Sequence, residues 1–169
     1  IELHAGVPDD KSTMEEWKIV SESVPNGMIS MCLDRKHLSN EMLVDRIKIA
    51  HEIADDRLII QADGIPISGG TDDFNTTLQA VSIADFINKG LKEKEKKLSN
   101  LPILISGGTN SFTGQLARQC DVKFNGITIG THARKVVSLY EKAPSMLTDE
   151  DLVQAVHKAK SLIKMNLYG

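Results

Sequence analysis

Six polar side chains, His4, Asp34, Gln61, Asp63, Thr109 and His132, each stand at or just past the carboxyl end of a short apolar run. If those runs are parallel strands, the six gather on the face where such sheets bind ligands. His4 and His132 have the chemistry to move protons near neutral pH, but no pairing with a carboxylate follows from the sequence, so no catalytic base is assigned. The competing reading is turn chemistry: Asp63-Gly64 is a strong turn dipeptide, and Asp34 is a common loop starter.

An internal repeat lies among these residues. Ser68-Gly69-Gly70-Thr71-Asp72-Asp73-Phe74 and Ser106-Gly107-Gly108-Thr109-Asn110-Ser111-Phe112 share Ser-Gly-Gly-Thr and a Phe at one spacing, and each leads into a helical pattern. Paired glycines let the backbone bend and approach closely, and the next helix offers free amides to an anion. The second copy is followed by Gly126-Ile127-Thr128-Ile129-Gly130-Thr131. That is the order of the last two strands of phosphate-binding barrels, where amides after both strands clamp one phosphate. The phosphate-binding candidates are therefore Ser106, Gly107, Gly108, Thr109, Gly130 and Thr131, with Arg134 placed to add a charge-assisted bond. His4, Gln61, Asp63, Gly69, Gly70, Thr71 and His132 are the candidates for the surrounding pocket. Tight strand-to-helix turns are the plainer explanation of the glycines.

No metal site is expected within the chain. Cys32 and Cys120 stand far apart without CxxC spacing, so neither a disulfide framework nor a zinc or iron–sulfur site assembles from them. Cys32 falls inside an apolar run and reads as a small core residue; Cys120 reads as the exposed thiol. His37, His51 and His157 lack metal-ligand spacing and read as structural or solvated.

The elements that must position these residues are five apolar runs: Ile1 to Ala5, Met28 to Leu33, Arg57 to Ala62, Pro102 to Ser106 and Gly126 to Gly130. Helical patterns separate them. Ser12-Thr13 with Glu15-Glu16 marks the first start, Asn40 the second, and Thr76 with Gln79 the third. Shorter helices run from about Phe112 to Gln119 and from Ala133 to Tyr140. Thr148-Asp149-Glu150 opens the last, with Leu152, Val153, Val156 and Leu162 on one face. The lysine-rich stretch from Lys92 to Lys97 reads as a solvated helix end or loop.

Strand-helix alternation at this spacing specifies an α/β fold with a parallel sheet of about five strands joined by right-handed crossovers. The strands read as nearly continuously apolar, which implies cover on both faces. Two windings remain open, a doubly wound sheet and half of a (βα)8 barrel. Five strands are too few to close the barrel.

The bounds are ordinary: 169 residues, one domain, 41% hydrophobic. A net charge of -3 gives nucleic acid no electrostatic footing. No apolar run approaches the roughly 20 residues of a membrane-spanning helix, and no targeting peptide is visible. A strand-like run beginning at Ile1 reads as a segment of a longer or processed chain, and a reducing, intracellular compartment is the default.

Three stretches carry a family resemblance: Ile60-Gln61-Ala62-Asp63-Gly64-Ile65-Pro66-Ile67-Ser68-Gly69, Ile105-Ser106-Gly107-Gly108-Thr109-Asn110, and Gly126 to His132 with Ala133-Arg134-Lys135. Together they resemble the carboxy-terminal domain of the light-dependent period protein family, LdpA, over nearly the whole chain. The resemblance implies an iron–sulfur protein of cyanobacteria, with relatives in plants, tied to redox and light input to the circadian clock. It places the cluster in ferredoxin-like motifs upstream, makes that iron–sulfur domain the partner of this one alongside regulatory proteins, and locates the protein in the cyanobacterial cytoplasm or the plastid stroma. It carries no catalytic role onto these residues. Two functions follow as expectations. One is a redox-responsive regulatory or partner-binding module without a cofactor of its own. The other is the phosphate- or flavin-binding half of an oxidoreductase barrel, with FMN phosphate on the glycine loops and its ring over Gln61 and Asp63.

Overall fold

The computed structural model describes residues 1–5, 9–36, 38–64, 73–141 and 144–168. Strand and helix alternate: β1 (Glu2–His4), α1 (Asp10–Ser23), β2 (Ile29–Leu33), α2 (Asn40–Ala54), β3 (Leu58–Asp63), α3 (Phe74–Ile87), β4 (Ile103–Ser106), α4 (Thr113–Gln119), β5 (Gly126–Ile127), α5 (Thr131–Val137) and α6 (Asp149–Leu167). All four strand pairings are parallel, and the spatial order β1-β2-β3-β4-β5 follows the chain. A doubly wound sheet reverses its direction at a switch point. This one never reverses, so it has the winding of half a (βα)8 barrel, left open with β1 and β5 at its edges.

Right-handed crossovers that always step to the next strand in one direction place their helices on one face of the sheet. The core is one-sided accordingly. Ile29, Met31 and Leu33 of β2, Leu58, Ile60 and Ala62 of β3, and Ile103 and Ile105 of β4 are fully buried in one cluster with Trp17, Leu43, Ile47, Ile83 and Ile87 from the helices. The register Leu3, Met31, Ile60, Ile103 carries one row of that face across four strands.

The intervening residues point the other way, and they are polar: Glu2, His4, Ser30, Cys32, Gln61, Asp63 and Ser106. This corrects the expectation of strands apolar on both faces. Runs such as Leu58-Ile59-Ile60 and Ile103-Leu104-Ile105 hide the alternation at the amino ends of β3 and β4; only toward the carboxyl ends does every second residue turn polar.

Helix starts differ from expectation where a better acceptor lies upstream. Asp9 caps α1, accepting from the amides of Lys11 and Ser12, in place of the Ser12-Thr13 pair. Ser39 caps α2, and Asp73 caps α3 by accepting from the Thr76 amide at 2.8 Å. Thr148 and Asp151 form a reciprocal capping box on α6. β5 ends at Ile127 rather than Gly130, and α5 begins at Thr131, two residues earlier than its pattern indicated. The stripe expected on α6 is not buried: Leu162 is covered, whereas Leu152, Val153 and Val156 are at least half exposed. No helix among the described residues is long and apolar enough to cross a membrane.

Trp17 joins α1 to α2: its ring is fully buried and its Nε1 donates to the Ala50 carbonyl at 3.0 Å. Trp17→Phe keeps an aromatic ring but removes this donor. It is expected to lower stability by about 1–2 kcal/mol, read as a fall in the urea midpoint with unchanged m-value.

Candidate functional site

The polar sheet face, whose Cys32, Gln61 and Asp63 are buried, and the loops leaving its carboxyl edge enclose a cleft of about 500 Å³. Glu2 and His4 from β1, Cys32 from β2, Gln61 and Asp63 from β3 and Ser106 from β4 form its floor. Gly107 to Asn110 and Thr128 to His132 form its wall, with Thr76 entering from α3.

Hydrogen bonds brace the floor across strands. Gln61 Nε2 donates to Ser30 Oγ at 3.1 Å, and Thr128 Oγ1 reaches Gln61 Oε1 at 3.5 Å. Ser106 Oγ donates to Asp63 Oδ1 at 3.0 Å. Thr109 Oγ1 donates to the Thr128 carbonyl at 2.6 Å and so ties the loop after β4 to the loop after β5. These hydroxyls are engaged in holding the walls. The backbone is what remains free: among the described residues, the amides of Gly107, Gly108 and Gly130 donate to no acceptor.

Gly107 and Gly108 occupy the left-handed region at φ 69° and 67°. A Cβ on Gly107 would lie 2.3 Å from Asp63 Oδ1 and 2.5 Å from the Gly64 carbonyl oxygen. Turn geometry therefore requires this glycine whether or not a ligand binds. Gly130 is different. A Cβ there meets only Arg134 Nη1, at 3.8 Å.

The two copies of the repeat meet in space where they are described. Phe74 and Phe112 pack with ring centroids 4.9 Å apart, Thr77 Oγ1 donates to Thr113 Oγ1 at 2.9 Å, and Asn110 Nδ2 donates to the Asp73 carbonyl at 2.8 Å. The repeat thus locks the start of α3 against the start of α4, directly behind the cleft wall.

Of the candidate residues, His4, Gln61, Asp63, Ser106, Gly107, Gly108, Thr109, Gly130, Thr131 and His132 line this one cleft. Arg134 stands at the rim, exposed, with Nη2 donating to Thr131 Oγ1 at 3.2 Å. Gly69, Gly70 and Thr71 lie outside the described residues, as does His37. Asp34 accepts from the Lys36 amide at 2.9 Å, a turn role, and also lies 3.9 Å from His4 Nε2. His51 pairs with Asp55 at 3.7 Å at the end of α2, away from the cleft.

Glu2, Cys32, Asn110 and Thr128 also line the cleft and were not among the candidates. The available signal was period two combined with register: Glu2 and His4 share a face of β1, and His4 pairs with Cys32. Cys32 is buried, as its apolar run implied, but on the cleft face rather than in the hydrophobic cluster, with His4 Nδ1 at 3.2 Å from its sulfur. Burial, then the charge of Asp63 and its hydrogen bond, then Glu2 and Asp34, push its thiol well above the ordinary cysteine range. Near neutral pH the side chain is a thiol, so it is no ready nucleophile. Cys120 is exposed.

A parallel sheet wound one way, with its helices behind it and a polar cleft on its bare face, defines a half-barrel type of α/β domain. This chain belongs to the light dependent period A C-terminal domain family, whose model matches residues 1–165. No curated protein and no solved structure matches it.

Proposed function

We propose that this is the regulatory module of an LdpA-type iron–sulfur protein, and that it acts by binding a phosphate-bearing small molecule in the cleft, the cluster being carried elsewhere in the protein. The observation that carries the reading is the pair of loops after β4 and β5. They are tied together by Thr109, floored by strand ends, and leave the amides of Gly107, Gly108 and Gly130 without acceptors among the described residues, beside the Arg134 guanidinium. Backbone amides in such a concavity, with one arginine, are the usual means of holding a phosphate. FMN is the flavin that suits the arrangement, with its phosphate on the loops and its ring toward Gln61 and Asp63. A redox-active ligand there would give the module its redox response.

A thermal-shift titration with inorganic phosphate, FMN and NAD tests this. Ligand at 100 times its dissociation constant is expected to raise stability by about 2.7 kcal/mol. Gly130→Asp places a carboxylate beside Arg134, with its Cβ meeting only Arg134 Nη1 at 3.8 Å, and is expected to abolish the shift while leaving the unliganded melting temperature nearly unchanged. A folded chain that shifts with none of the three compounds, or one whose shift is the same in the parent and in the Gly130→Asp variant, sinks the proposal.

A second, partner-binding reading draws on α6. Leu152, Val153 and Val156 form an uncovered apolar face on a helix that packs against α4 and α5, and a surface of that kind marks an interaction site. In an LdpA-type protein the occupant would be the iron–sulfur domain.

A further inference from the structure

At the end of the cleft away from the glycine loops, three different donor groups converge. Glu2 and His4 are two apart on β1 and so share its bare face, and the β1–β2 register sets Cys32 directly opposite His4. One carboxylate oxygen, one imidazole nitrogen and one sulfur from these residues lie within 4.8 Å of one another. We propose that Glu2, His4 and Cys32 bind a borderline-soft divalent cation of the zinc class, with its fourth position open to the cleft. The proposal is independent of the anion reading.

Four features support it. First, the donors suit the ion: thiolate, imidazole and carboxylate are the protein ligands of Zn²⁺, and three of them with an open position is the arrangement of a reactive or ligand-accepting site. Second, the spacing fits. Tetrahedral bonds of about 2.1 and 2.3 Å put a nitrogen and a sulfur about 3.6 Å apart, and His4 Nδ1 is 3.2 Å from Cys32 Sγ. Without metal the same contact is a hydrogen bond; with metal the ion replaces the thiol proton.

Third, the histidine has an outer partner. Asp34 Oδ2 lies 3.9 Å from Nε2, the ring nitrogen facing away from the sulfur, and Asp34 is itself held by the Lys36 amide. A carboxylate behind a ligating imidazole fixes its orientation. Fourth, the surroundings are acidic: Asp63 lines the same cleft and Asp34 stands behind His4, and a divalent cation offsets that concentration of negative charge.

The test is a cobalt(II) titration of the reduced, chelator-stripped chain, followed by the near-ultraviolet thiolate-to-cobalt charge-transfer band. One equivalent is expected to saturate the band, and zinc(II) to bleach it by displacement. Cys32→Ser is expected to lose it and Cys120→Ser to keep it. Glu2→Gln and His4→Gln, at exposed positions that leave the fold intact, are each expected to weaken binding about tenfold or more, and Asp34→Asn about tenfold with the band retained. Gly130→Asp should leave the titration unchanged, which separates this site from the anion site. No band in the folded chain, a band that survives Cys32→Ser, or affinity indifferent to both Glu2→Gln and His4→Gln overturns the proposal. Should Cys32→Ser fail to fold, the two exposed substitutions decide.

Discussion

Gly107→Ala is expected to destabilise the chain by about 3 kcal/mol, from two terms of the same sign. A left-handed backbone costs an L-residue about 1–2 kcal/mol, and Gly107 sits at φ 69°. An inserted methyl in a packed site costs about 1–3 kcal/mol more. Here it would stand 2.3 Å from Asp63 Oδ1, 2.5 Å from Gly64 O and 2.6 Å from Gly64 N. Two of those atoms are backbone and cannot swing aside. The third belongs to a carboxylate held by Ser106. Urea unfolding measures the loss, and Gly130→Ala is the control, with only a 3.8 Å contact to Arg134 and a negative φ. It should lie within about 1 kcal/mol of the parent. Equal midpoints for Gly107→Ala and the parent would mean that the loop after β4 relaxes freely, and the proposed anion cradle would lose its rigidity as well.

This coupling of fold and cleft explains what the sequence disclosed. Strand-helix alternation sufficed for the class, because five apolar runs separated by helical patterns admit little besides a parallel sheet. Parallelism in turn brought His4, Gln61, Asp63, Ser106 and His132 to one edge, since the carboxyl ends of parallel strands share a side. Which winding the sheet takes was not legible. Strand order depends on contacts between segments, such as Ala62 beside Ile105, that leave no local trace. The bare face was missed for a related reason. It appears only when the alternation in Glu2-Leu3-His4 is aligned by register with that in Met31-Cys32 and Gln61-Ala62-Asp63, and register is a tertiary property.

The one-way winding also divides the cleft chemically. Carboxylates collect near β1 to β3, Glu2 and Asp63 on the floor and Asp34 behind His4, whereas the glycine amides and Arg134 collect beyond β4 and β5. Along one edge the surroundings therefore pass from a field that favours cations to one that favours anions. A cleft with such a gradient suits the proposed ligand, an extended molecule carrying a phosphate at one end. It is a poor surface for a second apolar sheet.

Gly114→Ala is expected to release the carboxyl end of α6 from the body, against the direction that helix propensity alone dictates. Alanine in a helix interior normally stabilises by about 1 kcal/mol relative to glycine. At Gly114, however, a Cβ would lie 1.9 Å from the carbonyl oxygen of Asn166 and 2.7 Å and 2.8 Å from its C and Cα, all backbone atoms. Relief requires the end of α6 to move. Three hydrogen bonds hold that end: the Gly114 amide donates to Asn166 Oδ1 at 2.9 Å, and Arg118 Nη1 and Nη2 donate to the carbonyls of Asn166 and Met165 at 2.8 and 3.3 Å. Leu162 and Asn166 are the helix's buried residues. Losing these bonds and the burial of Leu162 costs about 4 kcal/mol, which outweighs the propensity gain and leaves a net loss of about 3 kcal/mol. Once undocked, that end loses the tertiary packing from which most helical stability comes. Hydrogen exchange should therefore show amides at the carboxyl end of α6 losing protection while those of β2 and β3 keep theirs. Retained protection along α6 in the variant would show that α4 and α6 do not approach as closely as their shared Gly114–Asn166 contact requires.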